Sequence, residues 1–157
     1  YLTETHDRQR ACDLARASSS LPYVSKITMI DGQPMLDGGI VDSIPIGRAQ
    51  ATGHKHNIVI TTRNYGYRES GHDRKQPMFI YRHYPRLRVA LSHRIEAYNE
   101  QLQMVEDLER EGKITVIRPQ RPMEVQRMEK DIAKLERLYE EGFKLGEEFY
   151  QANEIAE

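Results

Sequence analysis

Residues 34–45 read Pro34-Met35-Leu36-Asp37-Gly38-Gly39-Ile40-Val41-Asp42-Ser43-Ile44-Pro45. A strand-like run meets an aspartate and two glycines, then an apolar turn ends in proline. A tight turn needs only Asp-Gly, so the flanking pattern is more than a turn requires. Just upstream, Asp31-Gly32 is a hairpin signal between Lys26–Ile30 and the returning Pro34–Leu36. Residues 7–17, DRQRACDLARA, predict a helix capped by Thr5 or Asp7, with Ala11, Leu14 and Ala15 as a small apolar face. Ser18-Ser19-Ser20 ends that helix ahead of Leu21-Pro22. Downstream, residues 45–51 start a short helix that Gly53 closes. Asn57–Thr62, NIVITT, is a continuous β-branched run of the kind buried on both faces of a parallel sheet.

A polar loop dotted with aromatics follows, from Arg63 to about Met78. A long helix is expected from about Pro85 to Arg110. Its apolar stripe is Leu87, Leu91, Ile95, Tyr98, Leu102, Val105 and Leu108. Gly112 stops it, and residues 113–117, KITVI, form a strand ended by Pro119 and Pro122. A last helix is expected over about 124–152, with Met128, Ile132, Leu135, Tyr139, Gly142, Gly146 and Phe149 along one stripe. Its glycines would let another element approach, at about 1 kcal/mol each in helix propensity. The strands are few and far apart, which suits an α/β fold whose sheet takes other strands from elsewhere.

The 157 residues carry 23 Lys/Arg against 24 Asp/Glu, for a net charge of -1. That balance names no partner, but the charge is unevenly spread. Arg63 to Arg94 holds eight cations against two acids, so the remainder is acidic. The single cysteine, Cys12, excludes an internal disulfide and reads as a packed thiol; it is consistent with a reducing, cytoplasmic setting. No apolar run approaches the length of a transmembrane helix. A first residue of Tyr rather than Met fits a processed product or a fragment.

Two motifs stand together: Ala17-Ser18-Ser19-Ser20-Leu21-Pro22 and Leu36-Asp37-Gly38-Gly39 with Pro45 behind it. The pairing resembles the patatin-like phospholipases, lipid acyl hydrolases in which an Ala-Ser-x-Ala-x-Pro segment precedes Asp-Gly-Gly or Asp-Gly-Ala. The likeness covers roughly residues 10–62. Tyr84-Pro85-Arg86-Leu87-Arg88 and Val116-Ile117-Arg118-Pro119 look, more weakly, like the C-terminal region of a bacterial branch. The resemblance implies a three-layer α/β/α domain, of which residues 1–121 would be the C-terminal part and 122–157 a helical extension. It implies that Asp37 is the aspartate of a Ser-Asp dyad, with Gly38 and Gly39 shaping its loop, and that no cofactor or metal takes part. The glycines also have a physical reason of their own. A dyad aspartate must come within about 2.6–3.2 Å of a serine hydroxyl, and side chains behind it would crowd that approach.

The chain departs from the family in one respect. It contains no Gly-x-Ser-x-Gly nucleophile elbow and no glycine-rich oxyanion loop. The resemblance therefore implies that the serine lies in an upstream part of the same protein. Ser18, Ser19 and Ser20 read as capping and turn residues, and Asp42 as a surface or capping residue. His54-x-His56 could place two rings on one side of a strand for a metal, but no third ligand suggests itself. The segment 79–88, FIYRHYPRLR, interleaves Phe79, Tyr81 and Tyr84 with Arg82, Arg86 and Arg88. That pattern suits anionic lipid headgroups better than nucleic acid, or simply a helix start with exposed arginines. Two functions follow. The first is a lipid acyl hydrolase acting on carboxylic esters, cytoplasmic with peripheral contact at a membrane. The second is a non-catalytic interaction module using segment 79–88 and the long helices.

Overall fold

The structure is a computed structural model that describes residues 7–71, 79–125 and 129–154. Thr5, Met78 and Met128, named above as a cap, a loop end and a stripe residue, lie outside the described residues. The chain is α/β, with helices and two small sheets. It divides into two compact units, residues 1–44 with 70–99, and residues 45–69 with 100–157.

In the first unit, helix α1 spans Arg8–Ser18. Asp7 caps it by accepting the Gln9 amide at 2.9 Å. The serines close it: Ser19 Oγ donates to the Ala15 carbonyl and Ser20 Oγ to that of Arg16. The face that this helix buries is narrower than its sequence suggests. Ala17 is buried and Leu14 half-buried, while Ala11, Ala15 and Cys12 are exposed. Cys12 is thus a surface thiol rather than a packed one. Strands β1 (Thr28–Ile30) and β2 (Gln33–Met35) pair antiparallel, with Ile30 opposite Gln33. Asp31 and Gly32 both take positive φ, 49° and 75°, as a two-residue hairpin of the right twist requires. The Arg10 guanidinium grips the Asp31 carboxylate with two bonds of 2.8 and 2.7 Å. Ile40, Tyr81 and Leu91 form the core, with Tyr23, Ile27, Leu36, Leu87 and Ala90 packed on it.

The helix expected over 85–110 is interrupted once. Helix α3 covers Pro85–Ser92 and α4 covers Arg94–Arg110, with His93 between them. Ser92 Oγ donates to the Val89 carbonyl, and His93 Nδ1 lies 3.0 Å from the same oxygen. Side chains that hydrogen-bond the helix's own carbonyls loosen its last turn. The stripe itself keeps its side: Leu91, Leu102, Val105 and Leu108 are buried, and Leu87, Ile95 and Tyr98 half-buried.

In the second unit, Pro45 precedes helix α2 (Ile46–Ala51), and Gly53 follows at φ 90°. Strand β3 (Ile58–Ile60) pairs parallel with β4 (Thr115–Ile117), and Ile58 faces Thr115 in register. Parallel pairing agrees with the β-branched run, but burial on both faces does not. Val59 is half-buried, whereas Ile60 is 75% exposed and Ile58 is exposed beside it, because no described element covers that face. Among the described residues no strand pairs with the other edge of β3 either. Helix α5 spans Ile132–Glu154 and lies against β4. It begins later than its periodicity suggests because Asp131 caps it, accepting from the Ala133 and Lys134 amides. The first half of its expected buried stripe is turned outward: Ile132, Leu135 and Tyr139 are exposed, and a Cβ at Gly142 or Gly146 would meet open space. Towards its C-terminal end the stripe's Gly146 and Phe149 are half-buried, as are Leu138 and Leu145 outside it.

Candidate functional site around Asp37

Strand β2 stops at Met35, and Asp37 enters the next turn with φ -50° and ψ 128°. It caps the single 3-10 turn Gly38–Ile40, its Oδ1 accepting the Gly39 amide at 2.7 Å. The half-buried carboxylate has no other hydrogen-bond or ion-pair partner among the described residues. Its Oδ2 is therefore uncommitted. The two glycines play different parts. A Cβ on Gly39 would stand 3.0 Å from Asp37 Oδ1, so a side chain there presses on the carboxylate. A Cβ on Gly38 would meet nothing within 4 Å, and Gly38 is exposed beside the carboxylate.

The two sequence motifs meet through the backbone, where the Asp37 amide donates to the Ser20 carbonyl at 2.9 Å. Ser20 is buried, and its hydroxyl also lies 3.1 Å from Thr28 Oγ1. The Ala17–Pro22 segment is thus a support that fixes where Asp37 leaves the hairpin. The Gly39 carbonyl accepts Ser43 Oγ at 2.8 Å and Arg94 Nε at 3.3 Å. Ile40, next in sequence, anchors the loop in the core with Tyr81 and Leu91.

Sequence reasoning passed over two further groupings. Tyr23 holds a positive φ of 66°, which is strained for an aromatic residue. Its amide donates to the Tyr81 hydroxyl at 2.9 Å, and the two rings lie 5.0 Å apart. The Tyr23 hydroxyl is buried without a hydrogen-bond partner among the described residues. Burial pushes its pKa up, and Tyr81 adds to the shift. Nothing in the local sequence marks this pair. The second grouping, in the other unit, did leave a signal. Glu106 follows Leu102 by one helical turn, so a carboxylate occupies a core position of the α4 stripe. It is buried and accepts from the Gly66 amide and both terminal nitrogens of Arg68. Arg68 also donates to Gln103, which pins residues 66–68 onto α4.

The other candidates are more loosely placed. His54 Nδ1 lies 3.2 Å from Thr52 Oγ1, and His56 is exposed. Among the described residues no three His, Cys, Asp or Glu side chains gather as a metal site would require. A crevice of about 580 Å³ runs between residues 120–125 and α5. Arg121, Lys134, Arg137 and Lys144 alternate there with Glu124, Glu140, Glu141 and Glu148, so the charges balance. Among the described residues, no helix is long and apolar enough to cross a membrane.

Comparison with known families finds a match to a domain of unknown function (DUF6363) over residues 84–154. It covers α3, α4, β4 and α5, just under half of the chain, and does not reach the Asp37 loop. No curated protein and no solved structure matches.

Proposed function

We propose that the chain supplies the aspartate of a Ser-Asp dyad in a lipid acyl hydrolase of the patatin-like kind, the serine coming from an upstream part of the same protein. The observation that carries the reading is the state of Asp37. One oxygen is fixed by the Gly39 amide at 2.7 Å, the other is uncommitted, and the residue beside it is a glycine. A carboxylate arranged so can accept a proton on Oδ2 without first breaking a salt bridge. The backbone bond from Asp37 to Ser20 adds support, since it ties together the two motifs on which the resemblance rests. Further support comes from β3. Its open edge and its uncovered Ile58 and Ile60 suit a sheet that continues into more strands under another layer, as in a three-layer α/β/α domain.

In this reading the serine hydroxyl loses its proton to Asp37 as its oxygen attacks the ester carbonyl. The alcohol leaves with that proton, and an acyl-serine remains. Water then attacks the acyl group, giving its proton to Asp37; the bond from the acyl carbon to the serine oxygen breaks, Asp37 returns the proton to that oxygen, and the carboxylic acid is released. An oxyanion loop outside this chain would stabilise both tetrahedral states. The proposal involves no cofactor or metal. The substrate is an acyl lipid or another carboxylic ester.

The test is hydrolysis of a medium-chain p-nitrophenyl ester by the full reading frame that contains this segment, beside its Asp37→Asn variant. Asn keeps the shape and the Gly39 bond but cannot take the proton. A fall of about 10²–10⁴-fold is expected, the usual worth of a positioned general base. An equal rate in the variant overturns the dyad and leaves the non-catalytic interaction module.

A further inference from the structure

We infer that residues 79–89 form a docking surface for an anionic lipid bilayer. The inference does not depend on Asp37 being catalytic. Between Asp73 and Glu96 the sequence holds no acidic residue and six cations: Arg74, Lys75, Arg82, Arg86, Arg88 and Arg94. The structure sorts residues 79–91 of this stretch into an inner and an outer side. Tyr81, Leu87 and Leu91 turn inward, with Tyr81 and Leu91 in the core cluster and Leu87 against it. Left outside are Phe79 (74% exposed), Val89 (60% exposed), Ile80 and Tyr84. Arg82, Arg86 and Arg88 are exposed among them and have no carboxylate partner among the described residues.

Each half of this pattern would be costly or idle on a purely aqueous surface. Three arginines within one short stretch repel one another, and among the described residues no carboxylate pairs with them. Phe79, Ile80 and Val89 leave apolar area in water beside those charges. A bilayer rich in anionic headgroups answers both at once. The guanidinium groups meet phosphates and carboxylates, while the apolar side chains enter the headgroup–acyl boundary and the Tyr84 ring sits at its polar edge. Nucleic acid would use the charge and could stack on Phe79 and Tyr84, but it has no use for Ile80 and Val89. The surface also shares a core with the Asp37 loop, through Ile40, Tyr81 and Leu91, and Arg94 donates to the Gly39 carbonyl. Docking there would bring that loop to the lipid.

The test is co-sedimentation of the chain with phosphatidylcholine vesicles, with and without phosphatidylserine. Binding is expected to the anionic vesicles only. It should fall steeply from about 0.1 M to about 1 M salt, as the screening length shrinks from about 10 Å to about 3 Å. Arg82→Ala with Arg86→Ala and Arg88→Ala should weaken it about 100-fold, since each charge near the surface contributes about fivefold. The matching lysine triple variant should keep most of the binding, because a lipid surface reads charge more than the planar fork. Phe79→Ser with Val89→Ser should remove whatever binding survives high salt. If the alanine variant fails to fold, the salt dependence of the unaltered chain decides. Equal binding to neutral vesicles, salt-insensitive binding, or full binding by a folded alanine variant each overturns the inference. Tighter binding to a single-stranded oligonucleotide, in competition with the vesicles, overturns it in favour of nucleic acid.

Discussion

Removing one partner of the Arg68–Glu106 pair should cost more than any surface ion pair of this chain, and by an amount that depends on pH. The Glu106 side chain is 8% exposed and the Arg68 side chain 34%. Glu106 accepts the Gly66 amide at 2.9 Å and Arg68 at 3.0 and 2.7 Å. Arg68→Ala leaves a buried carboxylate with one backbone amide as partner. Stranding a buried charge costs about 3–5 kcal/mol. The partial exposure of Arg68 lets water reach the gap, so about 2–4 kcal/mol is expected at neutral pH. Glu106→Gln keeps the Gly66 bond and loses the charge, for about 1–2 kcal/mol.

The sign of the pH effect follows from the carboxyl. Arg68 holds Glu106 below its ordinary value of 4.5, with the Gly66 amide and Arg118 helping and burial opposing. A depressed folded pKa gives stability that is present above 4.5 and lost as pH falls through the lower folded value. In Arg68→Ala the largest depressing cause is gone and burial pushes the carboxyl up. The penalty should therefore be greatest near neutrality and shrink as acid neutralises Glu106. Urea unfolding followed by circular dichroism at several pH values measures this. Each kcal/mol should also move the thermal midpoint by about 2–4 °C for a chain of this size. If Arg68→Ala lies within about 0.5 kcal/mol of the parent at all pH values, the range of ordinary surface changes, the pair is solvated and the reasoning fails.

Two smaller predictions concern the first unit. Tyr23→Phe should leave stability unchanged or raise it, since the lost hydroxyl is buried without a partner among the described residues, whereas Tyr81→Phe should cost about 1 kcal/mol by stranding the Tyr23 amide. The same urea titrations decide, and a Tyr23→Phe loss above that of Tyr81→Phe would show that its hydroxyl has a partner after all. Gly38→Ala should leave ester hydrolysis by the full reading frame near its parent rate, while Gly39→Val should lower it at least tenfold by displacing the carboxylate 3.0 Å away. Equal rates in the two variants would mean that the Gly39 contact does not position Asp37.

The local punctuation of this chain was legible in its sequence. Asp31-Gly32 gave the hairpin, Gly53 and Gly112 gave helix ends at positive φ, and NIVITT gave a parallel strand. These features follow from the allowed backbone conformations of single residues, so one sequence suffices to see them. The break at His93 was not legible, because it turns on which carbonyl the Ser92 and His93 side chains reach. The site was legible in part. Asp37, Gly38 and Gly39 carry the resemblance as residues, but the link that places them is the Asp37 amide on the Ser20 carbonyl, and any residue type can make that bond. Tyr23 and Tyr81 had no visible signal, since the bond between them crosses 58 residues.

Helix α5 shows where periodicity stops being informative. A stripe of apolar residues at helical spacing states that one side of a helix is fit for burial. It does not state what buries it. Along α3 and α4 the stripe and the buried side coincide, at Leu91 in the first and at Leu102, Val105 and Leu108 in the second. In α5 they part: Ile132, Leu135 and Tyr139 of the stripe are exposed, Gly146 and Phe149 of it are half-buried, and Leu138 and Leu145 outside it are half-buried as well. The same divergence occurs at Ile58 and Ile60 on β3. These helices obey the same local rule, so the difference lies in the elements available to cover each face, and that is a tertiary quantity no window of residues contains.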